Sequence, residues 1–214
     1  MTTTPATQRE MVVLVHGLWL KGWCMTLLAW RLRCAGFDTL CFSYPTLHAG
    51  LRESATRLQA TLSSLPHPTL HLVGHSLGCI VIRSLFHHFP QSRPGRVVML
   101  APPNRGSAAA QRLARGRLGR ALLGQGTMDL LSGATRDWSP PAREIGIVSG
   151  TRGFGLARLV VKLPTPNDGV VTVAETTLSG IHAQVLLPVA HSRLLISPTV
   201  GAAVSSFLRK GRFA

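Results

Sequence analysis

The feature that most constrains this chain is the pentapeptide Gly74-His75-Ser76-Leu77-Gly78. It stands between an alternating, β-prone segment, Thr69-Leu70-His71-Leu72-Val73, and an apolar run from Cys79 to Phe86 broken only by Arg83 and Ser84. A Gly-x-Ser-x-Gly between a strand and a helix forces the serine into a sharp, strained turn, and the flanking glycines let strand and helix approach without a Cβ clash. The hydroxyl is then lifted clear of the strand end, beside the positive end of the helix dipole. The bare pattern also fits an ordinary strand-to-helix turn, so its flanks carry the reading of Ser76 as a nucleophile.

The rest of the chain supplies a matching frame. Met11-Val12-Val13-Leu14-Val15 is a continuous apolar run of the kind buried in a parallel sheet. Helical periodicity follows over Trp23–Cys34, then a strand over Phe37–Tyr44 stopped by Pro45, and a helix over Leu51–Leu65 ended by Pro66 and Pro68. Further strands are expected at Arg96–Ala101, Glu144–Ser149 and Gln184–Leu187, with a closing helix over Pro198–Arg209. Strands alternating with helices predict an α/β chain with a mostly parallel six-stranded sheet and helices on both faces. Residues 1–10 read as an N-terminal tail and 11–214 as a single domain, with 105–141 a candidate cap or lid.

Composition narrows the function classes. The net charge of +15 arises from twenty Arg and three Lys against eight acids, which admits an acidic partner or an anionic surface. No basic run of five or more occurs and aromatics do not interleave with the arginines, so no nucleic-acid partner is expected. Cys24, Cys34, Cys41 and Cys79 form no C-x-x-C pair or metal spacing and all sit in apolar surroundings, where a thiol behaves as a small hydrophobe. Free thiols, and an N-terminus without a basic, then apolar leader, predict a cytoplasmic protein. Met11–Trp30 is apolar, but Lys21 and two glycines interrupt it, so a strand, loop and helix explain it better than a membrane span.

A serine hydroxyl is a weak nucleophile at neutral pH; it needs a base, and the base an orienting acid. His191, in Val189-Ala190-His191-Ser192, follows the sixth strand and is the expected base. Asp168, in the turn-forming Asn167-Asp168-Gly169, follows the fifth and is the expected acid, although turns favour these residues for their own sake. Asp129 and Asp137 precede the fifth strand, Glu175 lacks a tight turn, His182 precedes its strand, and His87 and His88 lie several turns beyond Ser76. An oxyanion needs donors: the N–H of Leu77 is one, and the loop His16-Gly17-Leu18 after the first strand offers the N–H of Leu18 as the second. His16, held by the sheet, is expected to fix that loop rather than act as a base.

These pieces, with Ala101-Pro102-Pro103-Asn104-Arg105-Gly106-Ser107 and Asn167-Asp168-Gly169-Val170-Val171, resemble the α/β-hydrolase superfamily, in its lipase and esterase branch. The chain is similar to small bacterial lipases and to lipases related to GPI-inositol deacylase, from about residue 11 to its end. The resemblance implies a minimal α/β-hydrolase fold and hydrolysis of carboxylic esters through an acyl-serine intermediate. Ser76, Asp168 and His191 would be the triad and Leu18 and Leu77 the oxyanion donors, with no metal or cofactor. The partner implied is a small-molecule or lipid ester. A thioesterase or acyltransferase would use the same residues, and a non-catalytic binding protein could keep the same fold.

Residues 107–123 read as one or two basic helices, with Leu113, Leu118, Leu122 and Leu123 able to share a face and Gly116 and Gly119 weakening the rod. Such a segment could line the acyl pocket and touch an anionic membrane peripherally, or simply pack on the sheet with solvated arginines. Nothing in the sequence sets the oligomeric state.

Overall fold

Apolar runs of four to six residues set the strands of one sheet. The computed structural model describes residues 9–154 and 162–214; of the expected N-terminal tail only Arg9 and Glu10 are among them. Strands β1 (Met11–Val15), β2 (Asp38–Phe42), β3 (Leu70–His75), β4 (Val97–Leu100), β5 (Ile145–Gly150) and β6 (Ala183–Leu187) pair in the order β2-β1-β3-β4-β5-β6. Every pairing is parallel. The four inner strands are buried along their whole length, which is why β1 and β4 read as unbroken apolar runs, while the edge strands β2 and β6 are only partly covered.

Successive side chains of a strand point to opposite faces, and the core divides accordingly. Val12, Leu14, Val73 and Val98 meet Leu28 and Leu32 of α1 (Thr26–Cys34) and Val204 and Phe207 of α7 (Pro198–Lys210). On the other face Val13, Val15, Leu72 and Met99 meet Leu58 and Leu62 of α2 (Leu51–Ser64) and Ile80 and Ile82 of α3 (Leu77–His88). Each such side chain contributes about 1.5–3 kcal/mol when fully buried. Helix α7 is marked at both ends. Ser197 Oγ accepts from the Val200 N–H, Pro198 opens the first turn, and Gly211 closes the helix at φ 69°.

Two short helices, α4 (Ala108–Leu113) and α5 (Arg117–Leu131), occupy the candidate cap. Helix α5 is kinked at Gly124, whose φ is 69°; a Cβ there would fall 2.5 Å from Leu47 Cα, so the kink brings the helix onto the loop before α2. Asp129 Oδ2 accepts from the Leu51 N–H at 2.9 Å, and Trp19 Nε1 donates to the Leu122 carbonyl at 2.7 Å. The four leucines do not share a face: Leu123 is buried, whereas Leu118 and Leu122 are exposed. Positions 118 and 122 stack one turn apart, but 123 is rotated about 100° from 122. The thiols, too, depart from the apolar surroundings expected of them. All four cysteines are free, but only Cys79 is fully buried, and Cys34, in the last turn of α1, is exposed. Among the described residues no helix is long and apolar enough to cross a membrane.

The strand order fixes where a site can form. The chain steps from β1 outward to β2 and returns to β3 on the other side of β1, so the order reverses between β1 and β3. The crevice beyond the carboxyl ends of such a pair is where open α/β sheets bind ligands. The loop after β1 and the turn after β3 flank it.

Candidate active site

Ser76 follows the last residue of β3 and precedes the first of α3. Its φ of 51° and ψ of −122° lie in a region that a residue with a side chain occupies only when its surroundings impose it. Here they do. The Ser76 N–H is held by the Leu100 carbonyl at 2.9 Å, and the Cys79 N–H returns to the Ser76 carbonyl at 3.0 Å. A Cβ on Gly78 would collide with the Val15 carbonyl and come within 2.5 Å of that of His16, so α3 can start this close to β1 only with glycine there.

The loop after β1 lies against this turn. A Cβ on Gly17 would be 3.1 Å from Ser76 Cβ and 3.0 Å from His75 Nδ1. In this loop the Trp19 N–H bonds to Thr46 Oγ1 at 3.3 Å and the Leu20 N–H to the Gly17 carbonyl at 3.3 Å. The Leu18 N–H, just ahead of these two, has no partner among the described residues. Leu77 opens α3, where first-turn N–H groups lack intrahelical acceptors. Two backbone donors are therefore available on the two sides of the crevice.

His16 holds the loop, as expected of it. Its Nδ1–H donates to the Gly17 carbonyl at 3.0 Å, and its Nε2 accepts from the Tyr44 N–H at 3.3 Å. The Tyr44 hydroxyl donates to the His16 carbonyl at 3.0 Å, and the two rings stack at 4.6 Å. Burial lowers the pKa of His16 and raises that of Tyr44, so both stay neutral.

Asp168 and His191 meet from two different loops. His191 Nδ1–H donates to Asp168 Oδ2 at 2.7 Å, and the His191 N–H reaches the Asp168 carbonyl at 2.9 Å. The second carboxylate oxygen, Oδ1, accepts from the N–H groups of Val170 and Val171 at 2.9 and 2.8 Å. Asp168 is thus buried with both oxygens occupied, and the bond to Nδ1 leaves His191 Nε2 as the free ring nitrogen. Ser76 Oγ itself has no hydrogen bond among the described residues. What sets His191 beside the turn is His75, whose Nε2–H donates to the His191 carbonyl at 3.3 Å with the rings 4.7 Å apart. Burial, chiefly, and the neighbouring His191 push the His75 pKa far down. The sequence reading gave His75 no role; its place inside the pentapeptide was the available signal.

Most of the rejected acids and bases are engaged elsewhere. Glu175 closes a capping box with Thr172 at the start of α6 (Val173–Thr176), and its Oε1 accepts from the Ala108 N–H at the head of α4. Asp129 receives the Leu51 N–H, His182 Nδ1 accepts from the Ile145 N–H at 3.1 Å, and His87 stacks on Trp138 at 5.0 Å. Among the described residues no group of three His, Cys, Asp or Glu is placed to hold a metal ion.

The fold has close counterparts among solved structures. The mature form of the Bacillus licheniformis lipase BlEst2 superposes with a TM-score of 0.72 at 19% identity, over 98% of this chain and 95% of that one. A metagenomic carboxyl esterase gives a TM-score of 0.68 at 19% identity, over 87% of this chain and 65% of the esterase. Phospholipase PlaB from Legionella pneumophila gives 0.64 at 17%, over 95% and 57%. No curated protein is a detectable relative. The model of the alpha/beta hydrolase family spans residues 12–205, from the second residue of β1 to within α7, and so takes in Ser76, Asp168 and His191 together: the chain belongs to the alpha/beta hydrolase family.

Proposed function

We propose that the protein is a serine hydrolase of carboxylic esters, with Ser76 as nucleophile, His191 as base and Asp168 as the acid that orients it. The observation that carries this reading is the Asp168–His191 hydrogen bond of 2.7 Å beside a serine held at φ 51°. In the reaction Ser76 Oγ adds to the ester carbonyl carbon while its proton passes to His191 Nε2. The carbonyl electron pair moves onto oxygen, where the N–H groups of Leu18 and Leu77 receive it. Collapse breaks the bond to the alkoxy oxygen, which takes the proton from His191, leaving an acyl-serine. Water repeats the sequence and releases the acid. No cofactor is needed.

Fluorophosphonate labelling and hydrolysis of p-nitrophenyl esters from acetate to palmitate, by wild type and Ser76→Ala, test the reading. Labelling and turnover that both vanish in the variant uphold it. Thioester turnover exceeding ester turnover would move the assignment to a thioesterase, and neither labelling nor turnover would leave a binding protein of the same fold.

A lipid ester presented at an anionic surface is the substrate setting that one further observation favours. Trp19, Trp23 and Trp30 are 58%, 70% and 53% exposed. Leu27 and Trp30 are neighbours at i, i+3 on α1, Trp23 lies in the 3₁₀ turn that leads into it, and Trp19 is bonded to the carbonyl of the exposed Leu122 of the cap. Exposed indole rings on a chain of net charge +15 suit a negatively charged lipid interface. On this reading α4 and α5 form a cap that meets the lipid. Four unpaired thiols support a reducing compartment.

A further inference from the structure

Arg83 lies on α3 about two turns beyond Ser76 and is 2% exposed. Among the described residues no carboxylate faces it. Nη1 donates to the Asn104 carbonyl at 3.3 Å, and Nη2 to the carbonyls of Thr135 at 3.0 Å and Trp138 at 3.3 Å. Nε has no partner among the described residues. Burial lowers its pKa, yet a guanidinium remains charged at any physiological pH. Carbonyl dipoles satisfy its hydrogens in part but leave the charge uncompensated, a costly arrangement for a buried ion.

Beside it opens a cavity of about 350 Å³, walled by α3, the loop after β4, the end of α5 and the segment after α6. Arg83, Arg105 and Arg136 all line it, with Asn104, Gln111 and Trp138, and no Asp or Glu does. Arg105 and Arg136 are exposed and, among the described residues, neither has an ion-pair partner. Asn104 Oδ1, on the same wall, is buried and unpartnered. None of the triad residues borders this cavity.

We propose that this cavity is a binding site for a phosphate-bearing molecule, separate from the site at Ser76. Three guanidinium charges without an acid match a phosphate dianion, and the forks of Arg105 and Arg136, neither in an ion pair among the described residues, supply the donor geometry while the carbonyl-held Arg83 adds its charge behind them. The Gln111 amide adds a neutral donor, and the volume exceeds what a bare phosphate fills, so the phosphate carries an attached group, for a hydroxyl of which Asn104 Oδ1 is a free acceptor. Trp138, backed by the stacked His87 ring, offers that group a flat apolar surface. The phosphate is that of a free ester or of a lipid headgroup, and the two sources share this chemistry.

Calorimetric titration of the full chain with inorganic phosphate and with glycerol phosphate, at constant ionic strength, tests the site. One saturable site is expected for each probe. The exposed pair Arg105→Gln/Arg136→Gln should weaken it by about tenfold or more, the loss of charge-assisted hydrogen bonds. The surface pair Arg112→Gln/Arg115→Gln, outside the cavity, should leave it unchanged, as should Ser76→Ala. Competition by phosphatidic acid vesicles would identify the lipid source, and its absence the free ester; either upholds the site. No saturable binding of either probe, or equal affinity in the Arg105→Gln/Arg136→Gln protein, would overturn it.

Discussion

His75 donates a hydrogen bond from Nε2 to the backbone carbonyl of His191, 3.3 Å away, with the two imidazoles 4.7 Å apart. The residue before the candidate nucleophile therefore grips the residue proposed as its base. Because burial keeps His75 neutral, it places a donor next to His191 without placing a charge there. His75→Phe keeps a ring but removes the donor. It should lower kcat on p-nitrophenyl acetate by about 10–10² with KM nearly unchanged, the cost of a small misplacement of a catalytic group. His75→Gln, which retains a donor, should recover part of the loss. A matching fall in both variants, or a change confined to KM, would count against positioning.

Asp168 accepts three hydrogen bonds through its two carboxylate oxygens, one of them from His191 Nδ1. Asp168→Asn preserves the shape but can present an amide N–H where an acceptor stood, favouring the wrong imidazole tautomer. A fall in kcat of about 10³–10⁴ is expected, with fluorophosphonate labelling slowed in proportion. Comparison of labelling rates in the two proteins checks it. An unchanged rate would remove Asp168 from the proposed triad.

What the sequence disclosed, and what it did not, follows sequence distance. Met11–Val15 and Val97–Leu100 were legible as strands because burial on both faces leaves no polar alternation to misread. Ser76 and Asp168 announce themselves through their own neighbours, two glycines in one case and an Asn-Asp-Gly turn in the other. The bond from His75 to His191 spans 116 positions and that from Trp19 to Leu122 spans 103, and no local pattern records either. That Leu123 lies off the face of Leu118 and Leu122 is already in the helical period, but which of the two faces is buried depends on how the kinked helix packs against Leu47, a tertiary event that a helical wheel does not contain.

The two glycines nearest the turn should separate stability from activity. A Cβ on Gly78 meets the backbone carbonyls of Val15 and His16, which the sheet holds in place, so Gly78→Ala should destabilise the fold by about 1–3 kcal/mol or more. A Cβ on Gly17 meets His75 Nδ1 at 3.0 Å and Ser76 Cβ at 3.1 Å, contacts relieved by shifts of a few tenths of an ångström. Gly17→Ala should therefore fold, yet move the Leu18 N–H and cost about 10²–10³ in kcat, as loss of one oxyanion donor does. Urea midpoints and ester turnover for both variants check the contrast. A Gly17→Ala protein with wild-type turnover would argue against the Leu18 donor.

The exposed tryptophans should matter at a lipid surface and little elsewhere. Trp23, in the 3₁₀ turn ahead of α1, and Trp30, on α1, each have more than half of the residue in water, so Trp23→Ser and Trp30→Ser should change stability by less than about 0.5 kcal/mol. Each ring withdrawn from a membrane interface forfeits the burial of a large apolar group, about 1.5–3 kcal/mol. Sedimentation with phosphatidylcholine–phosphatidylglycerol vesicles should show binding weakened by about tenfold or more per substitution, and binding of the wild type should fall with added salt. Equal partitioning of wild type and variants would leave the face without this role.

Three buried histidines predict how the fold responds to acid. His16, His71 and His75 are each held below the ordinary histidine pKa, in every case chiefly by burial. In the unfolded chain they take up protons near pH 6.5, while in the native protein they remain neutral to lower pH. The unfolded state therefore binds more protons as the pH falls from about 6.5 toward the native pKa values, and stability declines across that window. Each histidine contributes a slope of up to about 1.4 kcal/mol per pH unit there, and above about pH 7 none contributes. Urea unfolding at pH 7.5, 6.5 and 5.5 should show a nearly level stability over the first interval and a fall over the second. His71→Phe, at the end of the sheet away from Ser76, should make that fall shallower by up to one histidine's share even if its overall stability drops. An undiminished slope in that variant would show that His71 titrates alike in the folded and unfolded chains.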